Sequence, residues 1–297
     1  MDVLGRVGRG CDWRCAVFVG DLALQPDGLT MKNIPVVMMS CDPYADIWNA
    51  SHAMWRKMWP DCPMRLFWVS NERVMRQDGV TAIVTGFDPE DWCGNLRIAL
   101  DRIGAERVFL ALDDLWMSRP VDTTGVLDAV SAFRAEGWDH LRFLSDWPSR
   151  DNAHLLGNVL RVRLPPTTPY RVSSILGLWK TSTLRAIARP GRSIWDFEVR
   201  GTLAAEPLPL EMWIQRAGVI RYDNAVVQGR WTGYGHRMIG EHNLPVDFSA
   251  RGVEPKRGAP TVRDMVYRVA PWFVHSAIRR HRVRLEAETT KAILEEL

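Results

Sequence analysis

Between residues 34 and 112 the chain alternates apolar runs of strand length with stretches of helix length, an order that leaves few architectures open. The strand candidates are IPVVMMS, RLFWVS, VTAIVT and RVFLAL, and helices are expected over 47–59 and 89–103. Strands separated by helices imply right-handed crossovers and a mostly parallel sheet covered on both faces. Beyond Pro120 the rhythm changes to a helix over 124–136, a strand at HLRFLS, a proline-rich bend at LPPTTPY and short mixed elements as far as Trp231. Residues 1–30 hold glycines and arginines without a sustained period and read as an N-terminal extension. Residues 31–260 read as the α/β body, and 261–297 as a basic helical tail whose apolar rhythm is broken by Pro271.

The chain has 297 residues, 46% hydrophobic and 25% charged, enough to bury a sizeable core. No apolar run reaches 18 residues and no signal-type segment opens the chain, so a cytoplasmic protein is expected. The five cysteines (Cys11, Cys15, Cys41, Cys62 and Cys93) contain no C-x-x-C pair, which argues against a disulfide framework or a structural zinc site. The net charge of +3 is small, but residues 251–284 carry nine Lys/Arg against two acids. Two readings of that tail stay open: a basic amphipathic helix lying on anionic lipid at the inner face of a membrane, or a helix packed on the core with a solvated basic face. Charge confined to one end does not suit nucleic-acid binding.

The run VFLALDDLWMSRP ends a buried strand candidate in two adjacent carboxylates, Asp113 and Asp114. Such a pair repels itself and resists desolvation, so a cation or open water is expected beside it. Ligands of open α/β sheets bind beyond the carboxyl ends of the strands, which is where this pair falls. Two carboxylates there can share a hard divalent ion, Mn2+ or Mg2+, that holds the oxygens of a nucleotide diphosphate. In SIWDFEVRG, aromatic residues flank Asp196 and Glu198; an aromatic wall can stack on a sugar and a carboxylate can take a proton from a hydroxyl. The competing reading of that stretch is an amphipathic helix capped by Ser193. Arg230 could pair with a phosphate, Asn95 near a helix start suits polar ligand groups, and Gly177 in SSILGLWK permits a close backbone approach.

Taken in order, VVMMSCDPYADIWNASHAMWRKMWPDCPMRLFWVSN, RVFLALDDLWMSRPVD, SSILGLWKTSTL and SIWDFEVRG resemble the bacterial glycosyltransferases of GT-A fold found among surface-polysaccharide genes. The resemblance implies a GT-A-like, Rossmann-like sheet flanked by helices, with a nucleotide-sugar half at 31–122 and an acceptor half at 123–260. It implies a D-x-D-type motif at residues 112–114, with Asp114 on the metal and Asp113 on the donor ribose or on the metal through water. Leu112 departs from the pattern, since many relatives have an acid there. It further implies Asp42 and Tyr44 near the base or ribose, Glu198 as the base of an inverting transfer, and Asp196 in reserve.

In that scheme Arg230 helps stabilise the departing diphosphate, and Trp195 or Trp179 holds the acceptor sugar. The donor is a nucleotide-sugar and the acceptor a saccharide or lipid-linked sugar. A nucleotidyltransferase is the alternative enzyme, but it would want a glycine-rich basic loop after the first strand, where SCDPYADIW stands. A GT-A-like binding protein without chemistry is the alternative outside enzymes.

Overall fold

A computed structural model describes residues 34–144, 161–215 and 218–253. The N-terminal extension and the basic tail with its expected membrane contact lie outside the described residues. No helix among the described residues is long and apolar enough to cross a membrane.

The strands are β1 (Val36–Met39), β2 (Leu66–Ser70), β3 (Val80–Val84), β4 (Arg107–Leu112), β5 (Leu115–Met117), β6 (His140–Phe143), β7 (Arg161–Arg163), β8 (Gly177–Lys180), β9 (Met212–Gln215), β10 (Tyr222–Asn224), β11 (Val226–Val227) and β12 (Arg230–Trp231). The helices are α1 (Trp48–Met58), α2 (Trp92–Ile103), α3 (Thr123–Ala135), α4 (Thr181–Ile187), α5 (Ile194–Ala205) and α6 (Gly233–His242). Eight strands form one sheet in the order β3-β2-β1-β4-β8-β6-β9-β7. Strands β3, β2, β1 and β4 are parallel, β8 runs against both β4 and β6, and β9 is parallel to β6 with β7 antiparallel at the edge. This is the mostly parallel, helix-flanked sheet expected from the sequence.

Both faces of the sheet are covered, which is why β1, β2 and β4 read as continuous apolar runs rather than alternating ones. Val36, Met38, Leu66, Trp68, Phe109 and Ala111 face a core completed by α1 and α3; Val37, Met39, Phe67, Val69, Val108 and Leu110 face one completed by α2, α4 and α5. Local chemistry sets the helix ends. Asp91, Asp122, Ser193 and Thr232 each accept a backbone N–H of the first turn of α2, α3, α5 and α6, and Gly104 closes α2 in the left-handed region at φ 65°. The capped-helix reading of SIWDFEVRG is therefore the one the fold adopts. In SSILGLWK only the last four residues, β8, form a strand.

Candidate active site

The parallel register pairs Met39 with Leu112, so the residues that follow β1 and β4 meet at the carboxyl edge of the sheet. Ser40 donates its hydroxyl to Asp113 Oδ2 at 2.5 Å, and Trp48 of α1 donates Nε1 to Ser40 Oγ at 2.6 Å. The Asp113 carbonyl accepts from Ser51 Oγ at 2.6 Å and from Trp116 Nε1 at 3.1 Å. Asp114 is tied through its own carbonyl, which accepts from Ala225 N at 2.8 Å. The antiparallel ribbon of β5 and β10 thus fastens directly onto the acidic pair.

Asp114 Oδ1 is buried and has no hydrogen-bond partner among the described residues. Burial pushes the Asp114 carboxyl from the usual 3.8 up to about 6, against the opposing pull of a backbone hydrogen bond and of Arg251. Burial and then the charge of Asp114 hold Asp113 well above the ordinary carboxylate range, with Ser40 and Arg251 opposing. Two acids so placed are short of positive charge, and the orphaned oxygen is the atom to which it would be supplied. Among the described residues no group of three or more His, Cys, Asp or Glu is arranged to hold a metal ion. Two carboxylates, one with an unpartnered oxygen, could hold a divalent cation only together with oxygens supplied from outside the described residues.

Some of the expected residues converge on this edge. Tyr44 lies in the turn after β1, its hydroxyl accepts from Gly229 N at 3.3 Å, and burial followed by the charge of Asp114 raises its phenol. Arg230, one residue beyond Gly229, is exposed at the start of β12. Glu198 reaches the same edge from α5: its Oε1 accepts from Ser174 N and Ser174 Oγ, each at 2.8 Å, and from Ser173 Oγ at 3.1 Å. Those serines lead into β8, whose first residue, Gly177, is level with Leu110 near the end of β4. Glu198 Oε2 has no hydrogen bond among the described residues. Trp195 stands at i−3 on the same helix with 65% of its surface exposed.

Other expected residues are placed elsewhere or engaged by the fold. Trp179 is wholly buried, stacked on His140 at 3.7 Å, and level with Val108 towards the opposite end of β4 from the acidic pair. Asn95 faces inward: Nδ2 donates to the carbonyls of Asp88 and Asp91, and Oδ1 accepts from Thr85 Oγ1 and Asn71 Nδ2, leaving no capacity for a donor. The Asp42 carboxylate is engaged by the backbone N–H groups of Asn71, Glu72 and Arg73, anchoring the loop after β2 rather than facing outward. Asp196 is bonded by Ser193 Oγ at 3.0 Å and paired with Arg200 at 3.1 Å, as a capping residue of α5.

The sequence reading missed Ser40, the Ser173–Ser174 pair and Arg251. Ser40 was within reach, since it follows β1 as Asp113 follows β4. Arg251 carries no local signal: it meets the site across some 200 residues of chain.

No protein-family model matches the chain, and no curated protein matches it in sequence. Among solved structures it is similar to S. aureus TarS (10% identity, TM-score 0.41), over 73% of this chain and 41% of that one. It is also similar to a structure described as a mycobacterial protein (13% identity, TM-score 0.42, 78% of this chain and 82% of that one). A third is glucosyl-3-phosphoglycerate synthase from Mycobacterium tuberculosis in complex with Mn2+, UDP-glucose and glycerol 3-phosphate (14% identity, TM-score 0.35, 83% and 98%). These are distant likenesses of fold, and the functional reading rests on the geometry of the site.

Proposed function

We propose that this chain is a glycosyltransferase that moves a sugar from a nucleotide-sugar donor, held at Asp113, Asp114 and Tyr44, to a hydroxyl of a saccharide or lipid-linked acceptor. One observation carries the reading: a buried carboxylate oxygen on Asp114 that has no partner among the described residues, beside Asp113, at the sheet edge towards which Glu198 is held. A divalent cation on this pair would neutralise the departing diphosphate. Arg230 at the rim adds positive charge towards the same group. Tyr44 lines the base or ribose side, and Asp42 serves it by fixing the loop after β2.

Glu198 is the base. Three hydrogen bonds to Oε1 hold the carboxylate, and the open Oε2 takes the acceptor proton as the acceptor oxygen attacks the anomeric carbon and the bond to the diphosphate breaks. One displacement of this kind inverts the anomeric centre. An acceptor ring stacked on Trp195 lies one helical turn from that carboxylate.

The test is a thermal-shift panel of UDP, GDP, CMP and dTDP sugars, each with and without manganese, since ligand bound to the native state raises the melting temperature. We expect a manganese-dependent rise with one nucleotide class, lost in Asp114→Ala together with sugar transfer. A fully active Asp114→Ala protein overturns the reading.

A further inference from the structure

Arg251 is the last charged side chain of the described body, and its surroundings are those of a built site rather than of a solvated surface arginine. Only 8% of its side chain is exposed. Its guanidinium donates Nε to Asp46 Oδ2 at 2.6 Å and Nη2 to Asp46 Oδ1 at 2.5 Å, a two-pronged pair that fixes the plane of the group. The same Nη2 reaches the Pro43 carbonyl at 2.9 Å, Nη1 reaches the Gly229 carbonyl at 3.3 Å, and the cation lies 4.3 Å from the centre of the Tyr44 ring. The backbone behind it is fixed as well: Trp231 N donates to the Gly252 carbonyl at 2.9 Å, and Val253 bridges to Trp231.

One side chain therefore ties together two pieces of the site, the turn after β1 (Pro43, Tyr44, Asp46) and the turn between β11 and β12 (Gly229), beside the direct hydrogen bond from Gly229 to Tyr44. Gly229 is in the left-handed region at φ 74° and donates its N–H to the Tyr44 hydroxyl, so both ends of that residue are held. Resting on the glycosyltransferase reading, we propose that Arg251 is a positioning residue of the donor site, holding Tyr44 and the Gly229–Arg230 turn in the arrangement that receives the nucleotide diphosphate. The sequence points instead to Arg230, which is exposed and has no such framework. A lysine cannot replace this arginine: it carries the charge but not the planar fork that meets Asp46 and Pro43 together, nor the flat face laid over Tyr44.

The experiment compares Arg251→Ala, Arg251→Lys and Asp46→Asn in the full-length protein, by donor KM and kcat and by Kd for UDP, GDP, CMP and dTDP with manganese. Asp46→Asn keeps the arginine charge and removes half of its anchor, so it separates placement from charge. Losing pre-organisation of the binding site should raise donor KM and nucleotide Kd about tenfold or more in Arg251→Ala, with kcat at saturating donor changing far less. Asp46→Asn and Arg251→Lys should each reproduce most of that rise. Full rescue by lysine, or unchanged nucleotide Kd in Arg251→Ala, overturns the inference while leaving the transferase reading intact. A wild-type protein that binds none of the four nucleotides overturns the transferase reading, and this inference with it. Melting temperatures of the free proteins guard against a folding defect; should Arg251→Ala fail to fold, Asp46→Asn and Arg251→Lys decide the matter.

Discussion

Asp113 and Asp114 follow β4, whose residues after Arg107 are apolar, and particular neighbours oppose their charge: Ser40 donates to one Asp113 oxygen and Arg251 acts on both carboxyls, while Asp114 Oδ1 has no hydrogen-bond partner among the described residues. Glu198 is held differently, by hydroxyls and a backbone N–H on one oxygen, the other having no hydrogen bond among the described residues. Under the proposed function, that contrast would separate a group that shares a cation from one that moves a proton. Glu198→Gln tests it at constant size, because the amide oxygen still accepts from Ser174 while the basic site is lost. The expected outcome is a kcat lower by about a hundredfold or more, with donor KM and melting temperature nearly unchanged. Steady-state kinetics decide it; near-wild-type kcat would take the base role away from Glu198.

At the scale of elements, β8 is the strand that brings Ser173 and Ser174 to the site, and it does so by running against both β4 and β6. Gly177 makes that insertion feasible: a Cβ there would lie 2.8 Å from His140 Cε1 and 3.1 Å from the Leu141 carbonyl oxygen. Gly177→Ala should therefore destabilise the fold by about 1–3 kcal/mol, read as a lower denaturant midpoint at unchanged slope. A midpoint equal to the wild type would mean that β6 yields at no cost. The close approach at Gly177 was legible in the sequence, as were the strands β1, β2 and β4 and helices α1 to α3, because runs buried on both faces and side-chain caps are local signals. The placements that were not legible share one cause. Trp179 and Asn95 are residue types that suit either a site or a core, and only the register of strands and the loops around α2 decide which way each points. Arg251 meets Asp46 through tertiary packing alone.

At the scale of the whole molecule, two buried groups bias stability in opposite directions as pH falls, and the windows differ. Burial lowers His140 from the usual 6.5 to about 3, so the folded protein keeps this imidazole neutral, its Nδ1 within 2.9 Å of the Leu178 carbonyl. A histidine whose folded value lies below its unfolded one contributes stability in full above pH 6.5 and loses it progressively towards pH 3. Asp114 has the reverse sign. Its folded value of about 6 exceeds the usual 3.8, so the ionised carboxylate destabilises the fold fully above pH 6, and the penalty fades to nothing by pH 3.8. In metal-free protein, Asp114→Asn should thus be more stable than wild type at pH 7.5, by on the order of 1 kcal/mol or about 2–4 °C, while transferring no sugar. That advantage should shrink as pH falls through the window from 6 to 3.8. His140→Asn, whose amide can still donate to Leu178, begins less stable because it gives up the stack on Trp179, but its deficit should narrow below pH 6.5 as the wild type alone acquires a buried proton demand. Denaturant midpoints of the three proteins at pH 7.5, 6, 5 and 4 give both difference curves. An Asp114→Asn advantage that grows on acidification would show that Asp114 is stabilised as a carboxylate in the free protein, and the acidic pair would then have no need of a cation.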